Sequence, residues 1–225
     1  MTDSSSALVQ ERAAVADVCR RLGAAGLLIG TAGNVSVRVG DRVAVTATGA
    51  VLAQLTAGQV TVVDLEGKTV AGTLQPTSEL DLHLGVYRRH GAGAVVHTHA
   101  PMATALSCVI DELPCMHYQL LALGGTVRVA PYATFGTPEL AESVLTALDG
   151  RSAALMANHG SVAMGPTLDK AVENALLLEW ACGVYQHAAA IGKPRVLDEQ
   201  QQLAVIEAAI ARNYGTTQPL QEGKP

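Results

Sequence analysis

Residues 94–101 read Ala94-Val95-Val96-His97-Thr98-His99-Ala100-Pro101, and they set the local grammar of the chain. A short uncharged apolar run of this kind is a buried strand over Ala94 to His99. Pro101, suited to the first turn of a helix, opens a helix that reaches Cys108. The alternation continues on both sides. Upstream, Leu8, Val15, Val18 and Leu22 share one face of a helix that ends near Gly23 to Gly26. Two β patterns follow, Asn34 to Arg38 and Arg42 to Thr46, with Gly40-Asp41 as the hairpin turn between them. Val60 to Asp64 is a further strand, closed by the turn Glu66-Gly67-Lys68. A helix then starts near Glu79 with Leu80, Leu84 and Tyr87 on its inner face.

Downstream, Val127 to Val129 is a strand, and Thr137-Pro138-Glu139 gives a helix a hydroxyl cap and a proline at its first position. Ala153 to Ala157 and Ser161 to Met164 are strands. Thr167 caps a long helix whose inner face carries Ala171, Ala175, Leu178, Cys182 and Tyr185. A last helix spans about Asp198 to Arg212, and a polar tail follows Tyr214-Gly215. Helices interleaved with short strands, some joined by tight turns, define an α/β protein with a mixed, mostly antiparallel sheet. No linker or internal repeat divides the chain. It is expected to form one domain over 1–225, with flexible ends at 1–6 and 216–225.

Composition narrows the functional classes. The 225 residues are 49% apolar, enough for a sizeable core, and 15 basic against 20 acidic residues give a formal charge of -5. That balance, without any Lys/Arg run, excludes a polyanion-binding surface, and aromatics at 3% exclude a base-stacking platform. Nucleic acid is therefore not an expected partner. No apolar stretch approaches the ~20 residues of a spanning helix, and the first six residues lack a secretory signal. Cys19, Cys108, Cys115 and Cys182 are scattered, as reduced thiols would be. The expected setting is the cytoplasm. Gly30-Thr31-Ala32-Gly33 follows a helix and precedes a strand, the reverse of a dinucleotide fingerprint.

His97-Thr98-His99 carries the chemistry. Residues two apart on a strand face the same way at ~6–7 Å, so both imidazoles can reach one ion. The competing reading is one core histidine and one exposed one. His159, in Asn158-His159-Gly160 at a strand end, is a third ligand candidate, and a glycine there lets backbone pass close to a site. Three histidines leave a tetrahedral zinc one open position, as catalysis requires. Glu79 is the natural carboxylate partner, although its spacing also suits a favourable acid in a helix's first turn. His83, His90, His117 and His187 read as helical, terminal or exposed, outside the metal site. Thr77 and Ser78 precede the Glu79 helix. Ser78-x-x-Asp81 fits a capping box, while hydroxyls and free N–H groups at a helix start also suit a phosphate. Gly33-Asn34 and Thr48-Gly49 are similar donor-rich strand ends.

Several segments together resemble the class II aldolase/adducin family. They are Gly30 to Arg38, Thr46-Ala47-Thr48-Gly49, Pro76-Thr77-Ser78-Glu79, Ala94 to His99, His117-Tyr118, Ala130 to Thr137, Asn158-His159-Gly160 and Tyr214-Gly215. Ala130-Pro131-Tyr132-Ala133-Thr134-Phe135-Gly136-Thr137 is similar to the aldolase branch in particular. The resemblance implies an α/β/α fold and a zinc-dependent aldehyde-lyase. Such an enzyme cleaves a ketose 1-phosphate, of the L-fuculose 1-phosphate kind, to dihydroxyacetone phosphate and a lactaldehyde-like aldehyde. It implies zinc on His97, His99 and His159, with Glu79 as resting ligand and as acid/base. It implies phosphate held by Gly33, Asn34, Thr48, Gly49, Thr77 and Ser78. It further implies Tyr118 reaching the site from a neighbouring subunit of a homotetramer, and Phe135 and Tyr214 at the aldehyde end. The chain departs from the aldolase pattern at Ala211, where an aromatic residue is usual, and at Thr77, where serine is.

Lysine usage points the same way on separate grounds. Aldol cleavage needs a sink for an electron pair, either a lysine Schiff base or a metal ion. The four lysines (Lys68, Lys170, Lys193, Lys224) fall in a turn, a helix's first turn, beside Pro194 and in the tail. None is a buried nucleophile. The alternatives are a 5-deoxyribulose 1-phosphate aldolase, a same-fold 4-epimerase, dehydratase or decarboxylase, and last a non-catalytic module of the adducin kind.

Overall fold

Strand β1 (Asn34–Val39) turns through Gly40 and Asp41 into β2 (Arg42–Thr46) in the computed structural model of the chain, which describes residues 8–217. The ribbon continues through β3 (Val60–Asp64) and β4 (Thr69–Ala71). On the other side of β1 lie β5 (Ala94–Thr98), β9 (Gly160–Gly165), β8 (Ala153–Met156), β7 (Val127–Ala130) and β6 (Glu112–Leu113). The nine strands form one sheet in the order β4-β3-β2-β1-β5-β9-β8-β7-β6. Every neighbouring pair is antiparallel except β7 and β8. The expected mixed, mostly antiparallel sheet is therefore the observed one. β4 and β6 were not among the expected strands. At three and two residues they are too short to carry an alternation.

The alternation of side chains splits the core in two. Ala44, Val96, Leu155 and Ala163 face one side, while Val43, Val45, Val95, Met156 and Val162 face the other. Helices α1 (Val9–Ala24), α3 (Pro101–Ser107) and α5 (Leu168–Ile191) cover the first face. Helices α2 (Leu80–His90) and α4 (Pro138–Ala147) cover the second. The result is three layers, α/β/α. Helix α6 (Glu199–Ala211) buries no residue and leans on the 3₁₀ segment Tyr118–Leu123. Of the expected flexible ends, all but Thr216 and Thr217 lie outside the described residues.

Most helix starts follow the sequence signals. Thr137 Oγ1 accepts the Leu140 N–H at 3.3 Å and Thr167 Oγ1 that of Lys170 at 3.2 Å. Asp198 and Gln201 form a reciprocal capping box. The capping box expected of Ser78 and Asp81 does not form. Thr77 takes the turn instead: its Oγ1 accepts the Glu79 N–H at 3.3 Å and its carbonyl that of Leu80 at 3.2 Å. Glu79 becomes the cap position of α2, and Ser78 turns outward.

Leu155 is fully buried between β8's neighbours and the α3–α5 layer. Leu155→Ala is expected to lower the free energy of unfolding by ~2–5 kcal/mol in urea titrations. Val109→Ala, at a position 75% exposed, should stay within ~0.5 kcal/mol.

Candidate active site

The sheet's pleat and its registers gather the site. His97 and His99 follow Val95 in period two, so both point to the face that α2 covers. Antiparallel pairing sets Asn34 of β1 opposite His97 on one side, and Val162 of β9 opposite it on the other. The β8–β9 turn passes through Asn158 at φ 56 and delivers His159 to the same spot. Two glycines make this approach feasible. A Cβ on Gly160 would lie 2.3 Å from the Thr98 carbonyl oxygen, and one on Gly33, at φ +91, would lie 2.8 Å from that of His97. The glycine expected to let backbone pass close to the site does so.

The three imidazoles pack edge to face with centroids 4.8–4.9 Å apart. His97 Nδ1 sits 2.9 Å from the Ser161 carbonyl, which can only accept, so the Nδ1–H donates there and Nε2 is the nitrogen that faces inward, toward Glu79. His99 Nε2 lies 3.1 Å from His97 Nε2. Glu79 completes the cluster from the start of α2. Its Oε2 is 3.2 Å from His97 Nε2 and 2.8 Å from Asn34 Nδ2, and its Oε1 is 3.7 Å from His159 Nε2. Oε1 is buried without a hydrogen-bond partner. Ring nitrogens of His97, His99 and His159 lie within 4.8 Å of one another. Three converging ring nitrogens beside a carboxylate oxygen that lacks a hydrogen bond are a donor set that a divalent cation satisfies, so these residues fit a metal.

Electrostatics agree with that reading. Burial alone would push the Glu79 carboxyl up. The charge and hydrogen bond of His97, the Asn34 amide and His159 outweigh it and hold the group well below the usual carboxylate range. Burial opposes charge on His97 too, but Glu79 and the Ser161 carbonyl win and raise it. His99 is pushed down to about 4 by burial and by the neighbouring His97 and His159. His159 is lowered by burial and His97. Two of the three rings are thus kept neutral, as ligands must be. Burial also pushes the Cys19 thiol up to about 12, which leaves it inert.

A cleft of about 440 Å³ opens over the cluster, and it unites most of the expected residues. Gly33, Asn34, Thr48, Gly49, Thr77 and Ser78 line it, with Glu79, His99, His159 and Phe135. His97 lies beneath, fully buried. Asn34 is 4% exposed, its amide nitrogen already engaged by Glu79. Tyr118 and Tyr214 are not brought to the cleft within one chain. Their hydroxyls meet at 3.1 Å beside a separate apolar groove of about 530 Å³ against α6. That bond raises the Tyr118 hydroxyl above its ordinary range.

Three contributors escaped the sequence reading. His83 is helical and outside the metal cluster, as expected, but its burial was not foreseen: α2 turns it onto β1, where Asn34 and Ser36 hold its ring. Its spacing held the signal: Glu79, His83 and Tyr87 stand at i, i+4 and i+8 on one helical face. Glu179 of α5 accepts the Met102 and Ala103 N–H groups, both at 2.9 Å, and so caps α3 directly behind His99. No local pattern links residues that far apart. Tyr132, 65% exposed, lines the cleft beside Phe135 and was legible only as part of a motif.

A three-layer fold with a histidine cluster at a strand end is an architecture shared with known proteins. The chain belongs to the class II aldolase and adducin family: the family model for the "Class II Aldolase and Adducin N-terminal domain" matches residues 13–186. Among curated relatives, the L-fuculose phosphate aldolase of Escherichia coli (strain K12) is 40% identical over 194 residues, 85% of this chain and 90% of the relative. The 5-methylthioribulose-1-phosphate/5-deoxyribulose-1-phosphate aldolase of Rhodospirillum rubrum is 39% identical over 193 residues, 85% of this chain and 87% of the relative. A solved structure of an L-fuculose 1-phosphate aldolase superposes with TM-score 0.86 at 32% identity, covering 92% of this chain and 98% of that one.

His83 also gives the chelator-treated protein a pH signature. Burial pushes its ring down to about 3 from an ordinary value of 6.5, against the raising effect of Glu79. Below 6.5 the unfolded chain binds a proton that the fold refuses. Stability is therefore expected to fall on acidification between those values, with a His83 share of up to ~1.4 kcal/mol per pH unit. Urea titrations across that range should show the share vanish in His83→Gln.

Proposed function

We propose that the protein is a zinc-dependent class II aldolase that reversibly cleaves a ketose 1-phosphate to dihydroxyacetone phosphate and a small aldehyde. The observation that carries the reading is the convergence of His97, His99, His159 and the unpartnered Glu79 Oε1 at the floor of one cleft. Three imidazole nitrogens and one carboxylate suit zinc. Held by those residues, the ion supplies a Lewis acid that takes up the negative charge developing on the substrate's oxygens.

The chain's own groups do the rest. Gly33, Asn34, Thr48, Gly49, Thr77 and Ser78 hold the phosphate at the cleft's donor-rich wall, Asn34 through its backbone because its amide is committed to Glu79. Tyr118, contributed by a second copy, assists loss of the proton from the C4 hydroxyl as the C3–C4 bond breaks and C4 becomes the aldehyde. The bonding pair stays with C3, which receives a proton through Glu79 after the carboxylate has gained one from solvent, completing dihydroxyacetone phosphate. Phe135 and the second copy's Tyr214 flank the aldehyde. Completion across an interface explains why Tyr118 and Tyr214 stand exposed, away from the cleft. Trp180, Ile206 and Ile210, all exposed, extend that apolar face. A homotetramer with sites between subunits is the assembly we assign, and the cytoplasm its location. No helix among the described residues is long and apolar enough to cross a membrane.

A second substrate has a specific observation behind it. The relatives named for L-fuculose phosphate and for 5-deoxyribulose 1-phosphate match almost equally, at 40% and 39% identity. Ala211, at the end of α6 near Tyr214, leaves more room than an aromatic residue for a different aldehyde tail.

Incubating the zinc-loaded protein with L-fuculose 1-phosphate, 5-deoxyribulose 1-phosphate and 5-methylthioribulose 1-phosphate should release dihydroxyacetone phosphate, with the L-fuculose ester cleaved fastest. Prior treatment with a chelator should abolish release and added zinc restore it. Undiminished cleavage after chelation would refute the metal route. Glu79→Gln should slow exchange of the C3 proton of dihydroxyacetone phosphate with solvent by about 10²-fold or more, in line with the usual contribution of a positioned acid/base.

A further inference from the structure

Behind Glu79 a line of buried polar side chains runs across the α2–β1 contact. Asn34 Nδ2 donates to Glu79 Oε2 at 2.8 Å, and the other end of the amide, Oδ1, meets His83 Nε2. His83 Nδ1 lies 2.6 Å from Ser36 Oγ, which in turn bonds the Tyr87 hydroxyl. The backbone of Val95 closes the far end on Tyr87. Ser36 and His83 are completely buried, Tyr87 1% and Asn34 4% exposed.

Chemistry assigns each proton. A carboxylate only accepts, so Asn34 must present its NH₂ to Glu79 and its carbonyl to His83. An amide carbonyl also only accepts, so His83 carries its proton on Nε2. A neutral ring then accepts at Nδ1, Ser36 donates to it, and Tyr87 donates to Ser36. Every bond points one way, toward the carboxylate. A flipped Asn34 would aim its carbonyl at Glu79, and the Nε2–H of His83 forbids that flip.

Stability does not account for this line. Replacing mutually bonded buried polar groups with apolar ones of like shape is often neutral. Leucine at 83 would suit the apolar layer of Leu82, Leu84 and Val86 around it. What the line does achieve is to hold Oε2 of Glu79 in place while leaving Oε1 without a hydrogen-bond partner, beside His159.

We propose that His83 is a positioning residue for Glu79, acting through Asn34: its Nε2–H locks the Asn34 amide, which anchors Oε2 and keeps Oε1 presented to the metal and the substrate carbon. The inference rests on Glu79 being the acid/base of the proposed reaction, but its geometric part is testable without that reaction. In the zinc-loaded native protein, ¹⁵N NMR should find His83 as the Nε2–H tautomer. An Nδ1–H tautomer would overturn the proposal. His83→Leu should weaken zinc binding and slow C3-proton exchange on dihydroxyacetone phosphate by about 10–100-fold each, the range typical of a lost ligand partner, with KM little changed. His83→Gln, whose side-chain amide can still donate to Asn34, should recover both to within severalfold. A folded His83→Leu protein with native zinc affinity and exchange would sink the idea, as would a folded His83→Gln protein no better than His83→Leu. Should His83→Leu not fold, Ser36→Ala serves: without its donor, His83 is free to place the proton on Nδ1, and zinc affinity and exchange should fall together. Native values there would count against the proposal. If the native protein exchanges no C3 proton, the aldolase reading fails on its own, while the tautomer and zinc affinities still decide the positioning role.

Discussion

The antiparallel pairing of β5 between β1 and β9 is the constraint on which the site depends. His97 belongs to the middle of the sheet, on a strand paired on both sides, with Asn34 and Val162 as its register partners. That pairing puts Asn34 beside it and the Ser161 carbonyl within reach of its Nδ1. It also folds β8 onto β9, so that the turn between them can drop His159 onto the same point. A slip of one residue in either register would turn His97 toward the α3–α5 face and disperse the cluster. The apolar alternation that drives Val95 and Val162 to one face, and Val96 and Ala163 to the other, is thus also what aims the imidazoles.

The cluster costs stability where it stands. Three imidazoles, two with Nε2 atoms 3.1 Å apart, and a buried carboxylate oxygen with no partner are a poor way to fill a protein interior. The surrounding layers offset this with dense apolar packing on both faces, and with backbone groups placed to take specific protons. The same logic explains Glu179. Helix α3 begins straight after His99 with Pro101 and has no capping side chain of its own, so a carboxylate from α5 satisfies its free N–H groups. A helix start left unpaired there would loosen the backbone that carries His99.

Much of the architecture could be read from residue patterns because each long element buries one face. Val60–Asp64 and Arg42–Thr46 have the bounds their alternation implies, and Thr137, Thr167 and Asp198 cap the helices that follow them. The readings failed where the deciding partner is remote. Ser78-x-x-Asp81 has the spacing of a capping box, but the chain turns one residue earlier on Thr77, whose neighbour across the sheet edge is Thr46. The pairing of His97 and His99 toward one point was legible from their spacing. Glu79 could be named and not placed, because only the packing of α2 on β1 brings it to His97. His83 shares a helical face with Glu79 and Tyr87 by its spacing, but that spacing alone does not say that β1 supplies the partners of its ring.

The division of labour between the two ends of the chain follows from packing. Residues 13–186, matched by the family model, contain the whole sheet, the histidines and the donor-rich wall of the cleft. Helix α6 and Tyr214 lie beyond that segment, bury nothing, and border an apolar groove with Tyr118. An element with no buried residue contributes little to the stability of a single chain. In the proposed homotetramer its apolar side chains would meet another copy and border the end of the substrate farthest from the phosphate. In that proposal the sheet would fix the reaction, through His97, His99, His159 and Glu79. The C-terminal helix, free of the sheet's registers, would be the part whose side chains, Ala211 among them, set which aldehyde fits in the proposed reaction.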